Sequence, residues 1–164
     1  MLIRKATKND AAAITGIYNY YIKNTPITFE IKTIRPSEIA RRMKGQFKKF
    51  PWLVGVVEGK IVGYAYATEF QDREAYKYSK ELTVYLHKEH LGCGYGTLLY
   101  KKLISILKKT DCAVIIGGIA LPNKVSVKLH EKLGFKKVAH FKKVGRKFNK
   151  WIDVGYWEKT LLKR

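Results

Sequence analysis

Residues 90–99, HLGCGYGTLL, place three glycines within five positions. An alternating stretch that predicts a strand precedes them, and an amphipathic stretch that predicts a helix follows. Backbone N–H groups at a strand-to-helix turn form a concave anion site, and the positive end of the helix dipole strengthens it. The turn lacks the Lys and hydroxyl residue of a P-loop, and its GxGxG spacing differs from the GxGxxG of dinucleotide-binding turns. A pyrophosphate would fit here, but a tight turn without a ligand explains the glycines equally well.

A second group of polar residues lies in the stretch LPNKVSVKLHEKLGF, residues 121–135. On a helix that starts near the asparagine, one stripe carries an amide, a hydroxyl and an imidazole: Asn123, Ser126 and His130. The predicted core face of the same helix is apolar: Val125, Leu129 and Leu133. The polar stripe either faces a ligand or consists of a capping Asn, a solvated Ser and a surface His.

Glu81 is a third candidate, because it begins the alternating stretch ELTVYL, residues 81–86, that leads to the glycine turn. A carboxylate at that position could act as a general base. An ion pair with one of the many lysines is an equally good explanation.

The composition restricts the class of protein. The chain has 164 residues, a length typical of one domain, and we expect a single domain over residues 1–164. Its 46% hydrophobic and 13% aromatic content excludes a disordered polyelectrolyte. No apolar run approaches the roughly 20 residues of a membrane span, and no signal peptide is recognisable, so we expect a cytoplasmic protein without membrane contact.

The net charge indicates what kind of partner the protein could bind, and the cysteine spacing bears on disulfides and metal sites. Lys and Arg number 33 against 13 Asp and Glu, which gives a net charge of +20. This favours an anionic partner such as nucleic acid, an acidic membrane or a polyphosphate cofactor, or else reflects a lysine-rich host proteome. Cys93 and Cys112 have neither disulfide-framework nor zinc-site spacing, so we expect two reduced thiols and no metal.

The remaining pattern predicts the elements that must position these residues. In order, they are a strand near Leu2, a helix to about Asn24, a helix from Pro36 through Phe47, a hairpin of residues 52–57 and 61–70, a strand over 81–86, a helix over 95–109, a strand over 113–121, a helix from Asn123 to Gly134, and strands over 135–141 and 151–161 separated by a basic turn. One βαβ crossover follows a hairpin-rich half. The pattern therefore predicts an α+β domain with a mixed, mostly antiparallel twisted sheet flanked by helices.

Several short motifs, each present once, follow one another along nearly the whole chain. They are IYNYYI at 17–22, TFE at 28–30, PWLV at 51–54, VGYAYA at 62–67, RxAYxYSxExTVY at 73–85, the glycine turn, LPNxxSVxLHExLGF at 121–135 and VGRKxxxWxDVGYW at 144–157. This set resembles the GNAT superfamily of N-acetyltransferases, and within it the phosphinothricin acetyltransferase branch. One position departs from the [QR]xxGxG motif of that superfamily, since Leu91 replaces the Gln or Arg and His90 precedes it.

The resemblance implies the GNAT fold and acetyl-CoA as co-substrate. The backbone of one strand is expected to pair with the pantetheine amides: Val84, Tyr85 and Leu86. The glycine turn is expected to wrap the pyrophosphate: Gly92, Cys93, Gly94, Tyr95, Gly96 and Thr97. Two residues of the polar stripe, Asn123 and Ser126, are the further cofactor contacts that the resemblance implies.

For the chemistry, the resemblance implies direct attack of an amine on the thioester, with no acyl-enzyme. Glu81 is then the base, directly or through a water, and an amide N–H near Tyr85 or Leu86 stabilises the oxyanion. His130 lies where relatives carry the residue that protonates the thiolate. The implied acceptor-binding residues are Phe29, Glu30, Arg73 and Tyr76. Among them, Arg73 could grip a carboxylate or phosphinate with two parallel hydrogen bonds.

The expected reaction is therefore N-acetylation of a small amino-acid-like amine such as phosphinothricin, methionine sulfoximine or methionine sulfone. The resemblance also implies a homodimer, with the last strand packed by Trp151, Asp153 and Trp157. Acetylation of another small or protein amine is the second hypothesis, although a basic surface repels polycationic acceptors. A nucleic-acid-binding module on an inactive fold is the third. It is disfavoured because the aromatic residues lie in apolar strands and not among the basic runs.

Overall fold

The computed structural model describes residues 1–46 and 50–162. The elements in these residues are β1 (Leu2–Lys5), α1 (Ala11–Asn24), α2 (Pro36–Gln46), β2 (Leu53–Val57), β3 (Lys60–Glu69), β4 (Ser79–Leu86), α3 (Tyr95–Leu107), β5 (Val114–Leu121), α4 (Lys124–Lys132), β6 (Lys136–Lys147) and β7 (Lys150–Thr160). Short 3₁₀ helices cover Lys8–Asp10, Glu74–Tyr76 and Lys88–His90. The predicted order of strands and helices is confirmed. The predicted end of the second helix, at Phe47, lies outside the described residues.

The chain forms two compact units. The first contains Met1–Asn19, Ile34–Thr68 and Leu82–Thr110. In it, β1, β2, β3 and the C-terminal part of β4 are neighbours in that order, and β2 pairs antiparallel with both β1 and β3. The predicted hairpin forms because Glu58 and Gly59 take positive φ angles of 48° and 75°, as a two-residue turn between twisted strands requires.

One face of helix α3 is apolar and packs into the core of the first unit. Leu99, Leu103 and Leu107 are completely buried, and the helix packs against β2. The predicted solvated face is exposed, as expected: Lys101, Lys102, Lys108 and Lys109. Burial of each leucine contributes roughly 1.5–3 kcal/mol. This packing fixes the helix whose first turn follows the glycine turn.

The second unit contains Tyr20–Thr33, Glu69–Glu81 and the chain from Asp111 onward. Its strand order is β4, β5, β7, β6, with the N-terminal part of β4 parallel to β5 and the other two pairs antiparallel. The parallel register joins Ser79–Glu81 to Val114–Ile116. The mixed, mostly antiparallel sheet predicted from the sequence is confirmed.

The end of the chain differs from the prediction in two ways. Strand β6 continues to Lys147, six residues beyond Phe141, because an irregular segment of the strand is held by Asp153, whose carboxylate accepts the Lys143 N–H at 2.8 Å. The turn that follows is only Phe148–Asn149, both with positive φ. Trp157 is buried, as expected, but Trp151 is 61% exposed and does not pack into the core.

Candidate active site

The Glu81 carboxylate is half-buried on β4, where its residue pairs with Ile116 of β5. Burial raises the pKa of this carboxyl above its ordinary value. Within residues 1–46 and 50–162, no hydrogen bond or ion pair joins the Glu81 side chain to another residue. In a chain with a net charge of +20, a half-buried carboxylate without a cationic partner is disfavoured for stability and suited to accept a proton. The ion-pair explanation of Glu81 is therefore not supported.

Gly118 and Tyr156 lie beside Glu81. They are cross-strand partners in the β5–β7 register. A Cβ atom built on Gly118 would lie 3.1 Å from Glu81 Oε1 and 3.3 Å from Tyr156 Cε1. Burial, and then the negative charge of Glu81, raise the pKa of the Tyr156 phenol, which is therefore neutral at physiological pH. Sequence reasoning did not select either residue.

A series of aromatic rings extends from Tyr156. Its ring contacts Phe70 at a centroid distance of 6.5 Å and Phe141 at 5.8 Å, and Phe70 contacts Tyr76 at 5.9 Å. All of these contacts are edge-on, which is a favourable geometry for aromatic pairs. Tyr76 is 40% exposed and ends the 3₁₀ helix that Arg73 precedes. The rings thus form a partly exposed apolar wall between that helix and Tyr156.

Arg73, the predicted anion ligand, is exposed at the N-cap of this 3₁₀ helix. Among the described residues, none forms a hydrogen bond or ion pair with its guanidinium. A planar guanidinium in this state can receive a carboxylate or phosphinate in a bidentate contact.

The segment with Phe29 and Glu30 is held by a lysine that sequence analysis missed. Lys147 is only 5% exposed, and its Nζ donates to the Thr28 carbonyl at 2.8 Å. Burial lowers the pKa of Lys147, and the charge of Glu30 partly opposes this. The Phe29 ring lies directly on Gly145, where any Cβ would overlap it. Phe29 is thereby fixed with 40% of its surface exposed.

Helix α4 buries one residue of the polar stripe, His130, and exposes one residue of the predicted core face, Val125. Asn123 caps the helix by accepting the Ser126 N–H at 3.1 Å, which confirms the capping alternative. His130 is only 2% exposed, so the alternative of a surface histidine is wrong, while Val125 is 73% exposed. The reason lies in β5: Gly117 has no side chain, and the His130 imidazole occupies that space.

The His130 imidazole is neutral and has a defined tautomer. Nδ1 lies 2.8 Å from the Ser126 carbonyl oxygen, which can only accept, so Nδ1 carries the proton. Burial lowers the pKa of His130 below its usual range, and the hydrogen bond to Ser126 opposes this only in part. Nε2 of this tautomer has a lone pair and cannot donate.

In the first unit, the glycine turn has the conformation of an anion-binding turn. Gly92 and Gly94 have φ angles of 79° and 76°, in the left-handed region that favours glycine. Gly94 is the N-cap of α3, so the first N–H groups of the helix, from Tyr95 onward, have no acceptor within it. The Cys93 thiol is exposed and Gly96 is buried. The donor set is backbone N–H at a helix N-terminus, which fits a pyrophosphate.

Leu91 and His90 immediately precede this turn. Leu91 is 52% exposed. The His90 ring lies between two others, 5.9 Å from His87 and 6.1 Å from Tyr95. An imidazole thus lies next to the first helical residue that follows the glycine turn, Tyr95.

The predicted pantetheine strand, Val84, Tyr85 and Leu86, is half-buried in the first unit. The Tyr85 ring is fixed by Tyr64 at 5.7 Å and Tyr18 at 5.2 Å. Gly63 of β3 allows a close approach, because a Cβ there would overlap Leu86. The backbone of this strand is thus held in place by packing on both sides.

Over 1–46 and 50–162, no group of three or more His, Cys, Asp or Glu side chains could hold a metal ion. In the same residues, none of the helices is both long and apolar enough to span a bilayer.

Comparison with known protein families decides the class. A model described as an acetyltransferase (GNAT) domain matches residues 3–155. The chain belongs to the GNAT acetyltransferase family. This confirms the resemblance in the motifs, and the chain is an N-acetyltransferase by family. The predicted site residues divide between the two units. The first holds the glycine turn and the pantetheine strand, and the second holds Glu81, His130 and the acceptor-side residues.

Individual relatives refine the placement in this family. The chain is 36% identical to a phosphinothricin N-acetyltransferase of Streptomyces viridochromogenes over 157 residues, 96% of this chain and 86% of the relative. It is 33% identical to an L-methionine sulfoximine/L-methionine sulfone acetyltransferase of Salmonella typhimurium over 162 residues, 98% of this chain and 95% of the relative. A solved putative acetyltransferase of Salmonella typhimurium with its cofactor acetyl-CoA has a TM-score of 0.97 and 32% identity, covering 100% of this chain and 95% of that one.

Proposed function

We propose that this GNAT enzyme uses acetyl-CoA to acetylate the amino group of a small amino-acid-like acceptor. The observation that carries the proposal is the half-buried Glu81 carboxylate, with a raised pKa and no ionic partner among the described residues. The relatives named for phosphinothricin, methionine sulfoximine and methionine sulfone support this acceptor class.

The residues of the first unit that would hold acetyl-CoA are the glycine turn, Gly92–Thr97, and the strand Val84–Leu86. We assign the pyrophosphate to the backbone N–H groups of the turn, because two left-handed glycines and a helix N-terminus suit an anion. In the second unit, Asn123 and Ser126 are proposed as further contacts. When bound, acetyl-CoA supplies the thioester carbonyl carbon, which bonds to the acceptor nitrogen as the C–S bond breaks.

Glu81 is proposed as the base. An amino acid enters as an ammonium, and its nitrogen can form a bond only after losing a proton. The Glu81 carboxylate accepts that proton, directly or through a water, and its raised pKa makes it a stronger base than an exposed glutamate. An amide N–H near Tyr85 or Leu86 is proposed to stabilise the oxyanion.

The acceptor is proposed to bind through Phe29, Glu30, Arg73 and Tyr76. The exposed Arg73 guanidinium would pair with the acceptor's carboxylate or phosphinate, and the rings of Tyr76 and Phe29 would pack against its carbon chain. Charge and apolar contact together suit a small anionic amino acid better than a polycation.

For His130, the resemblance implies proton donation to the thiolate. Donation from Nε2 requires the imidazolium, and burial lowers the pKa of this group. We infer that His130 instead works as a neutral imidazole that holds α4 against Gly117, and that the thiolate takes its proton from solvent.

The assay is release of thiol from acetyl-CoA with a panel of amines, followed by mass spectrometry of the product. The panel contains phosphinothricin, methionine sulfoximine, methionine sulfone, a polyamine and a short peptide. We expect turnover with the amino-acid analogues, which Glu81→Gln lowers by about 10²–10⁴-fold and Glu58→Gln, at an exposed position, does not change. Turnover with the peptide alone would favour the second hypothesis. No turnover, with no rise in Tm from acetyl-CoA and with salt-dependent RNA or DNA binding, would favour the nucleic-acid module.

We propose that the protein forms a homodimer through β6 and β7. Five large apolar side chains of these strands and their turn are each more than half exposed: Val138, Phe141, Val144, Phe148 and Trp151. Contiguous patches of this kind mark interaction surfaces. Light scattering is expected to give the mass of a dimer, which Trp151→Lys reduces to 18.9 kDa. A monomeric wild-type protein at micromolar concentration would contradict this.

Two further proposals concern the cellular compartment of the protein and its number of domains. We propose a cytoplasmic enzyme, because Cys93 and Cys112 are both free thiols, as a reducing compartment requires. We also propose one catalytic domain over residues 1–164, because the GNAT match at 3–155 runs through both units.

A further inference from the structure

Two consecutive glycines, Gly117 and Gly118, interrupt the apolar strand β5. Glycine in a strand interior costs stability and often marks a place where a ligand or another group approaches the backbone closely. Consecutive strand residues face opposite sides of a sheet. Gly117 faces the His130 imidazole, which fills the space of its missing side chain. Packing therefore explains the first glycine but not the second.

Gly118 faces the other side, towards Glu81 and Tyr156. Around the position of a Cβ on Gly118, the nearest atoms are Glu81 Oε1 at 3.1 Å, Tyr156 Cε1 at 3.3 Å and Tyr156 Cζ at 3.6 Å. Gly118 is exposed, and its φ lies outside the left-handed region, so the backbone does not require glycine there. The missing side chain of Gly118 leaves a shallow depression, about the size of one methyl group, which we call the notch. The Glu81 carboxylate forms one wall of the notch and the Tyr156 ring forms the other.

The two walls are chemically suited to an amine. Within the described residues, no hydrogen bond joins the Glu81 carboxylate or the Tyr156 hydroxyl to another side chain or to backbone. Burial and the charge of Glu81 keep the phenol protonated, so its oxygen accepts hydrogen bonds as a neutral group. The carboxylate accepts as well. The acceptor enters as an ammonium with three N–H bonds: two can donate to these walls, and loss of the third, passed through a water to Glu81, leaves the lone pair for bond formation.

We propose that Gly118 forms a seat for the acceptor's amino group, with one N–H directed to the Glu81 carboxylate and a second to the Tyr156 oxygen. The third N–H, and after its loss the nitrogen lone pair, then points away from both walls. Tyr156 is then an acceptor-binding residue and Gly118 a positioning residue. This inference rests on the proposed N-acetyltransferase activity and adds the residues that place the nucleophile.

The test fills the notch with one methyl group. Gly118→Ala adds a Cβ at 3.1–3.3 Å from its neighbours, a tight contact that a shift of a few tenths of an ångström relieves. We expect kcat/KM for the acceptor to fall about 30-fold or more, because misplacing a nucleophile by about 1 Å costs this much or more. The Kd of acetyl-CoA is expected to change less than about twofold. Tyr156→Phe keeps the ring and removes the oxygen, and we expect kcat/KM to fall about tenfold or more.

The matched control is Gly16→Ala. Gly16 is exposed in α1, and apart from its chain neighbours and the backbone of its own helix no atom lies within 4 Å of its Cβ position. We expect the Gly16→Ala variant to have the kinetics of the wild type. The inference is overturned if either Gly118→Ala or Tyr156→Phe keeps the wild-type kcat/KM. It is also overturned if Gly118→Ala loses acetyl-CoA affinity in proportion. If the wild type turns over none of the amines, both the proposed function and this binding position for the amino group are overturned. If the wild type and Gly118→Ala are equally active, only the binding position is overturned.

Discussion

The glycine turn of the first unit and the Glu81–Tyr156 pair of the second are proposed to recognise their ligands with different chemical groups. In the turn, Gly92 and Gly94 expose backbone N–H groups, and the replacement of a Gln or Arg by Leu91 leaves those donors in place. In the proposed acceptor site, Glu81 and Tyr156 would act through single side-chain atoms, and Gly118 would act by leaving space. Recognition by backbone tolerates a change of side chain, whereas recognition by individual side chains does not. Substitutions in the two regions should therefore differ in size and in the step that they affect.

The largest effect is expected from Glu81→Gln. Loss of the base should lower kcat at pH 7 by about 10²–10⁴-fold, the usual contribution of general-base catalysis. The Kd of acetyl-CoA, measured by calorimetry, should not change. A parallel loss of acetyl-CoA affinity would show instead that Glu81 maintains the structure of the cofactor side.

The same variant should not be less stable. Burial raises the pKa of Glu81 in the folded state above its unfolded value, so ionisation costs more in the fold. Stability linked to this group is therefore lost as pH rises from the unfolded pKa, about 4.3, through the folded pKa. At pH 7, Glu81→Gln is expected to have an equal or higher Tm than the wild type. A fall in Tm would mean that the carboxylate has stabilising contacts.

An intermediate effect is expected from Gly94→Ala in the turn. Its φ of 76° strains an alanine by about 1–2 kcal/mol and shifts the N–H groups, so acetyl-CoA should bind about tenfold more weakly. Gly59→Ala is a matched control, since Gly59 has a φ of 75° in the β2–β3 turn. Both variants should lose similar stability, but only Gly94→Ala should alter the Kd. Equal Kd values would exclude the turn as the phosphate site.

A smaller effect is expected from Leu91→Arg. A guanidinium at this exposed position gains only a screened interaction with phosphate, worth about 0–1 kcal/mol, so the Kd of acetyl-CoA should improve at most about fivefold. Leu2→Arg adds the same charge at another exposed leucine, 64% exposed in β1, and should leave the Kd unchanged. A gain of a hundredfold or more would mean that side chains, and not backbone, dominate binding at the turn.

The smallest effect on turnover is expected from His130→Phe. Because the wild-type imidazole is buried and neutral, the variant should keep kcat within about threefold between pH 6 and 9. Nitrogen-15 NMR of the wild type should show a proton on Nδ1 and none on Nε2 at pH 7. An imidazolium at that pH, or a loss of kcat in a variant that keeps the wild-type Tm and the wild-type Kd of acetyl-CoA, would restore His130 as the proton donor.

The sequence predicted the elements well because their periodicity reflects burial, as the Leu99, Leu103 and Leu107 stripe shows. It also identified Glu81, which begins its strand pattern. It missed Tyr156 and Gly118, because their pairing depends on the register between β5 and β7, which one sequence does not reveal. The Gly–Gly pair in an apolar strand was the available signal for this site.

The face of α4 was misjudged for a related reason. Val125 fits an apolar stripe yet is exposed, whereas His130 is buried because Gly117 on β5 leaves room for its imidazole. Helical periodicity gives the spacing of a face, and the partner strand decides which face is buried. The length of β6 likewise depends on Asp153, a residue of the neighbouring strand.

The central claim is that Glu81 deprotonates the acceptor amine. Its most direct test is the pH dependence of kcat/KM for phosphinothricin in the wild type, Glu81→Gln and Glu58→Gln. The wild type and Glu58→Gln should lose activity as pH falls through a pKa above 4.3, the ordinary glutamate value, since the carboxyl must be ionised to accept a proton. Glu81→Gln should lack this acidic limb and retain a low rate that follows the ionisation of the amine. An unchanged acidic limb in Glu81→Gln, at a rate near that of the wild type, would contradict the claim.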